Sequence, residues 1–313
     1  LQKNLQDIAN ILRRDVLKMT SYAGSGHVTS CLSCAEIIST LFFHQMYYDI
    51  KNPENENNDE FILSKGHAAP ILYSALFRAK AIHHHPFSLR KLKSPLEGHP
   101  IPSEHFPWAK VATGSLGQGL SVGVGMALAA KLKNLQYKTY VLLGDSEFSE
   151  GSVYESLQLA SHYKLNNLIA ILDVNRLGQT GPTMLQHNLK AYKSRLDSFG
   201  WNAIAINGHK IAQILKALKK AHNSNKPTAI LAKTIKGKGV SFLENKNGWH
   251  GKALSPNLLE KALHEIPNPI MPNIIIKKPQ HPAHQMQHSP HQIKNQIKKP
   301  ELSHYLKHEE VST

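Results

Sequence analysis

The sequence predicts an α/β fold: a doubly wound, mostly parallel sheet with helices on both faces. Three observations carry that expectation. Residues 139–143 form a short apolar run that ends in Gly144-Asp145. Residues 168–172 form a second run that ends in Asp173-Val174-Asn175, and the stretch between the two, 150–165, reads as a helix. The alternation then continues, with a strand over 203–206, a helix over 211–221 and a strand over 228–232. Strands joined through a helical crossover lie parallel, which brings their carboxyl ends to one edge of the sheet.

The remaining elements follow in chain order. Residues 5–22 read as a helix, because Leu5, Ile8, Ile11, Leu12, Val16 and Met19 recur near helical spacing. A second helix is expected over 34–48. Residues 61–64 read as a short strand, followed by Lys65-Gly66-His67 and a helix through Phe77. The stretch 83–105 is loop-rich, with several prolines. Residues 117–133 read as a helix whose small residues, Gly119, Ser121, Gly123, Gly125 and Ala127, permit close packing. From Pro267 onward the chain is rich in Pro, His, Gln and Lys and poor in aromatics. Such a segment cannot bury enough apolar surface to fix its backbone. Residues 1–266 are therefore expected to form one folded unit and 267–313 a disordered tail or linker, with Ile274-Ile275-Ile276 as a docking point.

Composition narrows the function. The chain has 313 residues, 41% of them hydrophobic, which is ample for a core. No apolar run approaches the ~20 residues of a membrane span. The start of the chain alternates charged and apolar residues and lacks the core of a signal peptide. Two cysteines suit a reducing compartment, so a cytoplasmic protein is expected. The formal charge of +15 attracts anions such as phosphorylated metabolites. No basic-aromatic ribbon, zinc finger or long Lys/Arg run accompanies it, so neither nucleic acid nor membrane is expected as a partner. Cys31-Leu32-Ser33-Cys34 lacks a second ligand pair for zinc and the βαβ setting of a redox motif, and is read as packing.

The two strand exits carry the chemistry. Asp145 and Asn175, about thirty residues apart, reach the same edge, where open α/β sheets bind ligands. A carboxylate and an amide oxygen there suit a hard cation such as Mg²⁺, with phosphate oxygens completing its shell. Glu150 stands at the start of the following helix, whose N-terminus favours anions.

Around this pair lie Ser25-Gly26-His27, Ser64-Lys65-Gly66-His67, Gly98-His99-Pro100, Thr113-Gly114-Ser115-Leu116-Gly117-Gln118-Gly119, Lys236-Gly237-Lys238-Gly239 and Trp249-His250-Gly251. Together with the Gly-Asp…Asn pattern, this ordered set resembles transketolase, a thiamine diphosphate family, over roughly residues 5–265. The resemblance implies an α/β thiamine diphosphate-binding domain that transfers a two-carbon ketol unit between sugar phosphates. It also implies Asp145, Asn175 and the Leu177 carbonyl as Mg²⁺ ligands, and Gly114, Leu116, Gly144, Ser146, His67 and His250 as cofactor contacts. His27, His67, His99 and His250 are implied as residues that bind donor hydroxyls and move protons, and Glu150 as an acid near the domain contact. Imidazole suits proton movement because its pKa lies near neutrality.

Two departures stand out. The position after Asp145 is usually Gly in this signature and here is Ser146, which is tolerated at negative φ and costs about 1 kcal/mol or more at positive φ. Nor does the chain carry the glutamate of a pyrimidine-binding domain. A second polypeptide bearing the pyrimidine and C-terminal domains is therefore expected, most simply in a heterotetramer. The alternatives are a deoxyxylulose-phosphate synthase-like or 2-oxoacid dehydrogenase-like chain, and a cofactor-binding homologue without catalysis.

Overall fold

The computed structural model describes residues 1–279. The sheet is formed by β1 (Glu60–Leu63), β2 (Thr139–Gly144), β3 (Leu168–Val174), β4 (Asn202–Asn207) and β5 (Thr228–Lys233). Its order is β1-β2-β3-β5-β4, and every adjacent pair is parallel. The helices are α1 (Gln2–Ala23), α2 (Val28–Ser33), α3 (Ala35–Thr40), α4 (Ala69–Arg78), α5 (Gln118–Leu132), α6 (Gly151–His162), α7 (Leu189–Ser198), α8 (Ile211–His222) and α9 (Pro256–Glu265).

The period-two alternation of the strands divides the core. Tyr140, Leu142, Ile169 and Ile171 pack with α1, α3, α4 and α8. Val141, Leu143, Ala170 and Leu172 face the other way, onto α5, α6 and α7. β2 and β3 are buried along their whole length, as expected for parallel strands covered on both faces. Burying a Leu, Ile or Val contributes about 1.5–3 kcal/mol, so these two layers are what fixes the strand ends in space. α5 lies unusually close to the sheet: a Cβ on Gly123 would stand 2.5 Å from the Val141 side chain.

Two expectations are corrected. The helix expected over 34–48 is interrupted at Cys34 and ends in a π-turn at Leu41–Gln45. The backbone then finds partners elsewhere: the Tyr47 N–H donates to the Asp59 carboxylate at 3.0 Å and the Tyr48 N–H to the Lys277 carbonyl at 2.8 Å. That second bond also corrects the expected boundary at 266. Ile274 and Ile276 pack against the core layer of α1, α3 and α4, while Ile275 is left 87% exposed. The packed body therefore runs on to 279, held by one backbone bond and two apolar anchors; the rest of the expected tail, 280–313, lies outside the described residues. α7 and α9 extend the helical content beyond the sequence expectation. α7 is capped by the Asn188 side chain, which accepts from the Ala191 N–H at 3.1 Å.

Candidate active site

The register pairs Gly144 with Asp173, so Asp145 and Asn175 leave the sheet side by side at its carboxyl edge. Both are buried, 3% and 4% exposed. One loop binds the two together. The Arg176 N–H donates to Asp145 Oδ2 at 2.6 Å, and the Leu177 N–H donates to Asn175 Oδ1 at 3.2 Å. Arg176 takes a left-handed φ of 68° to do this. Burial, and then the nearby Asp173 charge, push the Asp145 carboxyl up to about 7. Ser146 has φ −66°, so the substitution of glycine there carries no left-handed strain.

Behind this pair sits a polar hub. Asp173, fully buried, is ion-paired with Lys65 and accepts from Ser33 Oγ at 2.5 Å, from Thr234 Oγ1 and from Asn175 Nδ2 at 3.2 Å. Burial alone would raise the Asp173 carboxyl, but the Lys65 charge holds it below the ordinary range. The Asn175 amide is oriented by this hub: its nitrogen is committed to Asp173, so its oxygen faces the loop.

The four histidines gather at the same edge, from four separate parts of the chain. His27 caps α2, His67 lies in the turn after β1, and His99 and His250 come from loops. Ring centroids of His27 lie 5.0 Å from His67, 6.2 Å from His99 and 4.8 Å from His250, and His67 lies 5.3 Å from His250. Burial is the first cause that lowers each pKa. It acts with the His99 and Lys236 charges to bring His27 to about 4, and with the Lys236 charge to bring His250 to about 3. His67 is held well below its ordinary value, and His99 is lowered with help from Arg90. All four rings are therefore neutral at neutral pH, each with one donor and one acceptor nitrogen. His27 Nδ1 is buried without a hydrogen-bond partner among the described residues.

Lys236, to which the sequence alone assigns no role, joins the two groups. Its ammonium donates to the Leu177 carbonyl at 2.8 Å and the Gly178 carbonyl at 3.0 Å, and lies 3.0 Å from His250 Nδ1. Burial, and then the Lys65 charge, bring it down to about 8. A cation is thus already drawn to the carbonyl expected to serve as a metal ligand. Among the described residues no cluster of three His, Cys, Asp or Glu could hold a metal ion. The donor set left is one carboxylate plus neutral amide and carbonyl oxygens, which fits a hard cation that keeps water or phosphate in its shell.

Of the remaining predicted positions, Gly114 and Leu116 are exposed on the loop before α5, and Gly144 is the last residue of β2. Glu150 is exposed at the N-cap of α6, against Gly117. Cys31 and Cys34 are free and buried, with Cys31 Sγ 3.6 Å from the Ala68 carbonyl. Burial raises both thiols, so they are inert packing groups.

A parallel sheet that collects oxygen donors and neutral imidazoles behind glycine-lined turns is the architecture of an α/β diphosphate-binding domain. Residues 4–302 match the family described as transketolase, thiamine diphosphate binding domain. Human transketolase is 51% identical over 267 residues, spanning 84% of this chain and 42% of its own length. One of the two-chain relatives, the first subunit of the apulose-4-phosphate transketolase of Phocaeicola vulgatus, is 38% identical over 257 residues, 81% of this chain and 90% of its own. The solved transketolase of Campylobacter jejuni superposes with a TM-score of 0.79 at 35% identity, covering 84% of this chain and 43% of that one. The chain belongs to the transketolase family, in its thiamine diphosphate-binding domain. It spans under half the length of the curated transketolases it matches.

Proposed function

We propose that this chain is the diphosphate-binding subunit of a transketolase, moving a two-carbon ketol unit from a ketose phosphate to an aldose phosphate. The observation that carries the reading is the convergence of Asp145, Asn175, Lys236 and four neutral histidines on one sheet edge. Asp145, Asn175 and the Leu177 carbonyl would hold Mg²⁺, and Lys236 would offset the charge of a diphosphate. Gly114, Leu116, Gly144 and Ser146 line the approach with backbone. Thiamine diphosphate, when bound, supplies the electron sink for breaking a carbon–carbon bond beside a carbonyl. The chain's own part is proton handling and orientation. The neutral rings of His27, His67, His99 and His250 can each accept a hydroxyl proton at one nitrogen while donating at the other, as a polyhydroxylated substrate requires.

Glu150 lies exposed where a second polypeptide would cover it, and there it would orient that partner's acid. The likeness to a bacterial transketolase subunit of nearly the same span supports a partner chain carrying the pyrimidine and C-terminal domains, in a heterotetramer. The reading assigns the chain to cytoplasmic sugar-phosphate metabolism of the pentose phosphate type. It agrees with two free thiols and with the absence, among the described residues, of a helix long and apolar enough to cross a membrane. The test is to combine the chain with the pyrimidine-domain polypeptide, thiamine diphosphate and Mg²⁺, and to follow ketol transfer from xylulose 5-phosphate to ribose 5-phosphate. Transfer requiring both polypeptides is expected. No transfer in the complete mixture would sink the catalytic reading, and full transfer by this chain alone would sink the need for a partner.

A further inference from the structure

Glu147 is a second acid of the strand-exit turn and is not among the cofactor or metal contacts above. It is 1% exposed, in the single helical turn Glu147–Ser149. Its carboxylate accepts three hydrogen bonds from three loops. Oε1 takes the Ser64 hydroxyl at 2.5 Å and the Gly117 N–H at 2.9 Å, and Oε2 takes the Gly144 N–H at 2.9 Å. Ser64 opens the turn that carries His67. Gly117 closes the loop that carries Gly114 and Leu116. Gly144 precedes Asp145. We propose that Glu147 is a positioning residue that locks these three cofactor-facing loops into one rigid cradle, an inference that rests on the cofactor reading above.

The chemistry of the contact favours a carboxylate. The two backbone groups are obligatory donors, so both carboxyl oxygens must accept at once, and an ionised acid is acceptor-only. Glutamine has nearly the same shape but one acceptor oxygen. If that oxygen takes the Oε1 position, its NH₂ faces the Gly144 N–H. If it takes the Oε2 position, its NH₂ faces the Gly117 N–H, while the Ser64 hydroxyl can turn to accept. Either way one backbone N–H is left opposed to a donor, and one loop is released from the others. Aspartate is one methylene too short to reach across all three loops.

The experiment uses the assembled enzyme, chain plus pyrimidine-domain partner, and titrates it with thiamine diphosphate in saturating Mg²⁺ by calorimetry. Alongside, the cofactor-free melting temperature and the split between the cofactor KM and kcat are measured. Glu147→Gln should raise the cofactor Kd on the order of tenfold, the loss expected for one charge-assisted hydrogen bond. The cofactor KM should rise with it by more than kcat falls. Ser64→Ala keeps the carboxylate and both backbone bonds. It should raise Kd about threefold, and it provides the test if Glu147→Gln fails to fold. A lowered melting temperature with unchanged Kd in the variant that folds would overturn the proposal and leave Glu147 a folding staple. Absence of saturable binding by the unsubstituted enzyme would overturn the cofactor reading itself, and this inference with it.

Discussion

Substitution of the buried ion pair gives a test in which the structure sets an order as well as a size. The side chains of Lys65 and Asp173 are 1% and 0% exposed. Removing one partner of such a pair costs about 3–5 kcal/mol, because the other charge stays buried. In Lys65→Met the remaining carboxylate keeps Ser33, Thr234 and Asn175 as donors. In Asp173→Asn the remaining ammonium keeps the Ser30 carbonyl at 2.9 Å and gains an amide facing it. We therefore expect a loss of about 3 kcal/mol for the first and about 5 kcal/mol for the second. The double variant should recover about 2 kcal/mol relative to the sum of the two. Urea unfolding of the four proteins at neutral pH, without cofactor, measures all three quantities. The acid limb gives a further check. Asp173 is depressed below its ordinary 3.8, so the stability it contributes is present above that value and lost as pH falls through its lower folded value. Lys65→Met should flatten that limb. An Asp173→Asn variant no less stable than Lys65→Met, or single effects that add within about 0.5 kcal/mol, would refute the reasoning.

Other expectations can be checked with the same protein. Because the Asp145 carboxyl lies at about 7, protons compete with Mg²⁺ for it; apparent Mg²⁺ affinity should fall about tenfold per pH unit below that value, and equal affinities at acid and alkaline pH would contradict this. For the metal-free protein the sign is opposite to Asp173: a raised carboxyl loses stability as pH climbs from its ordinary 3.8 through about 7. Gly117 has φ 84°, and a Cβ there would meet the Glu150 Cβ at 2.6 Å; Gly117→Ala should cost about 2 kcal/mol or more, visible as a clear drop in melting temperature. Lys236 titrates at about 8, so cofactor affinity should weaken as pH rises through that value, and Lys236→Met should abolish that alkaline loss in calorimetric titrations.

Much of the fold was legible because β2, α6 and β3 write their periods plainly and end on Asp145 and Asn175. The four histidines were legible as a group through the motifs that hold them, although nothing in their spacing along the chain states that their rings meet. Other features were not. The helix expected to run to Tyr48 follows an apolar run, and its true end depends on Asp59 and Lys277, which compete for the backbone from elsewhere. α7 and α9 bury few side chains, Tyr192 and Leu196 in one and Leu259 and Ala262 in the other, so their stripe is faint. Asp173 and Glu147 read as ordinary acids of a strand and a turn. Their roles come from partners 108 and 83 residues away, Lys65 and Ser64, which no local pattern reports. Lys236 stood inside a family motif, but its reach to the Leu177 carbonyl needed three dimensions.

The crowding of the four imidazoles limits how the cleft can store charge. With rings 4.8–6.2 Å apart beside a lysine ammonium, a hydron landing on one of them makes the next uptake by its neighbours costlier still. The quartet can therefore hold one at a time. That makes it a single-occupancy shuttle: each hydron taken from a hydroxyl has to be handed on before another arrives, which ties the two half-reactions of a group transfer to one another in strict turn.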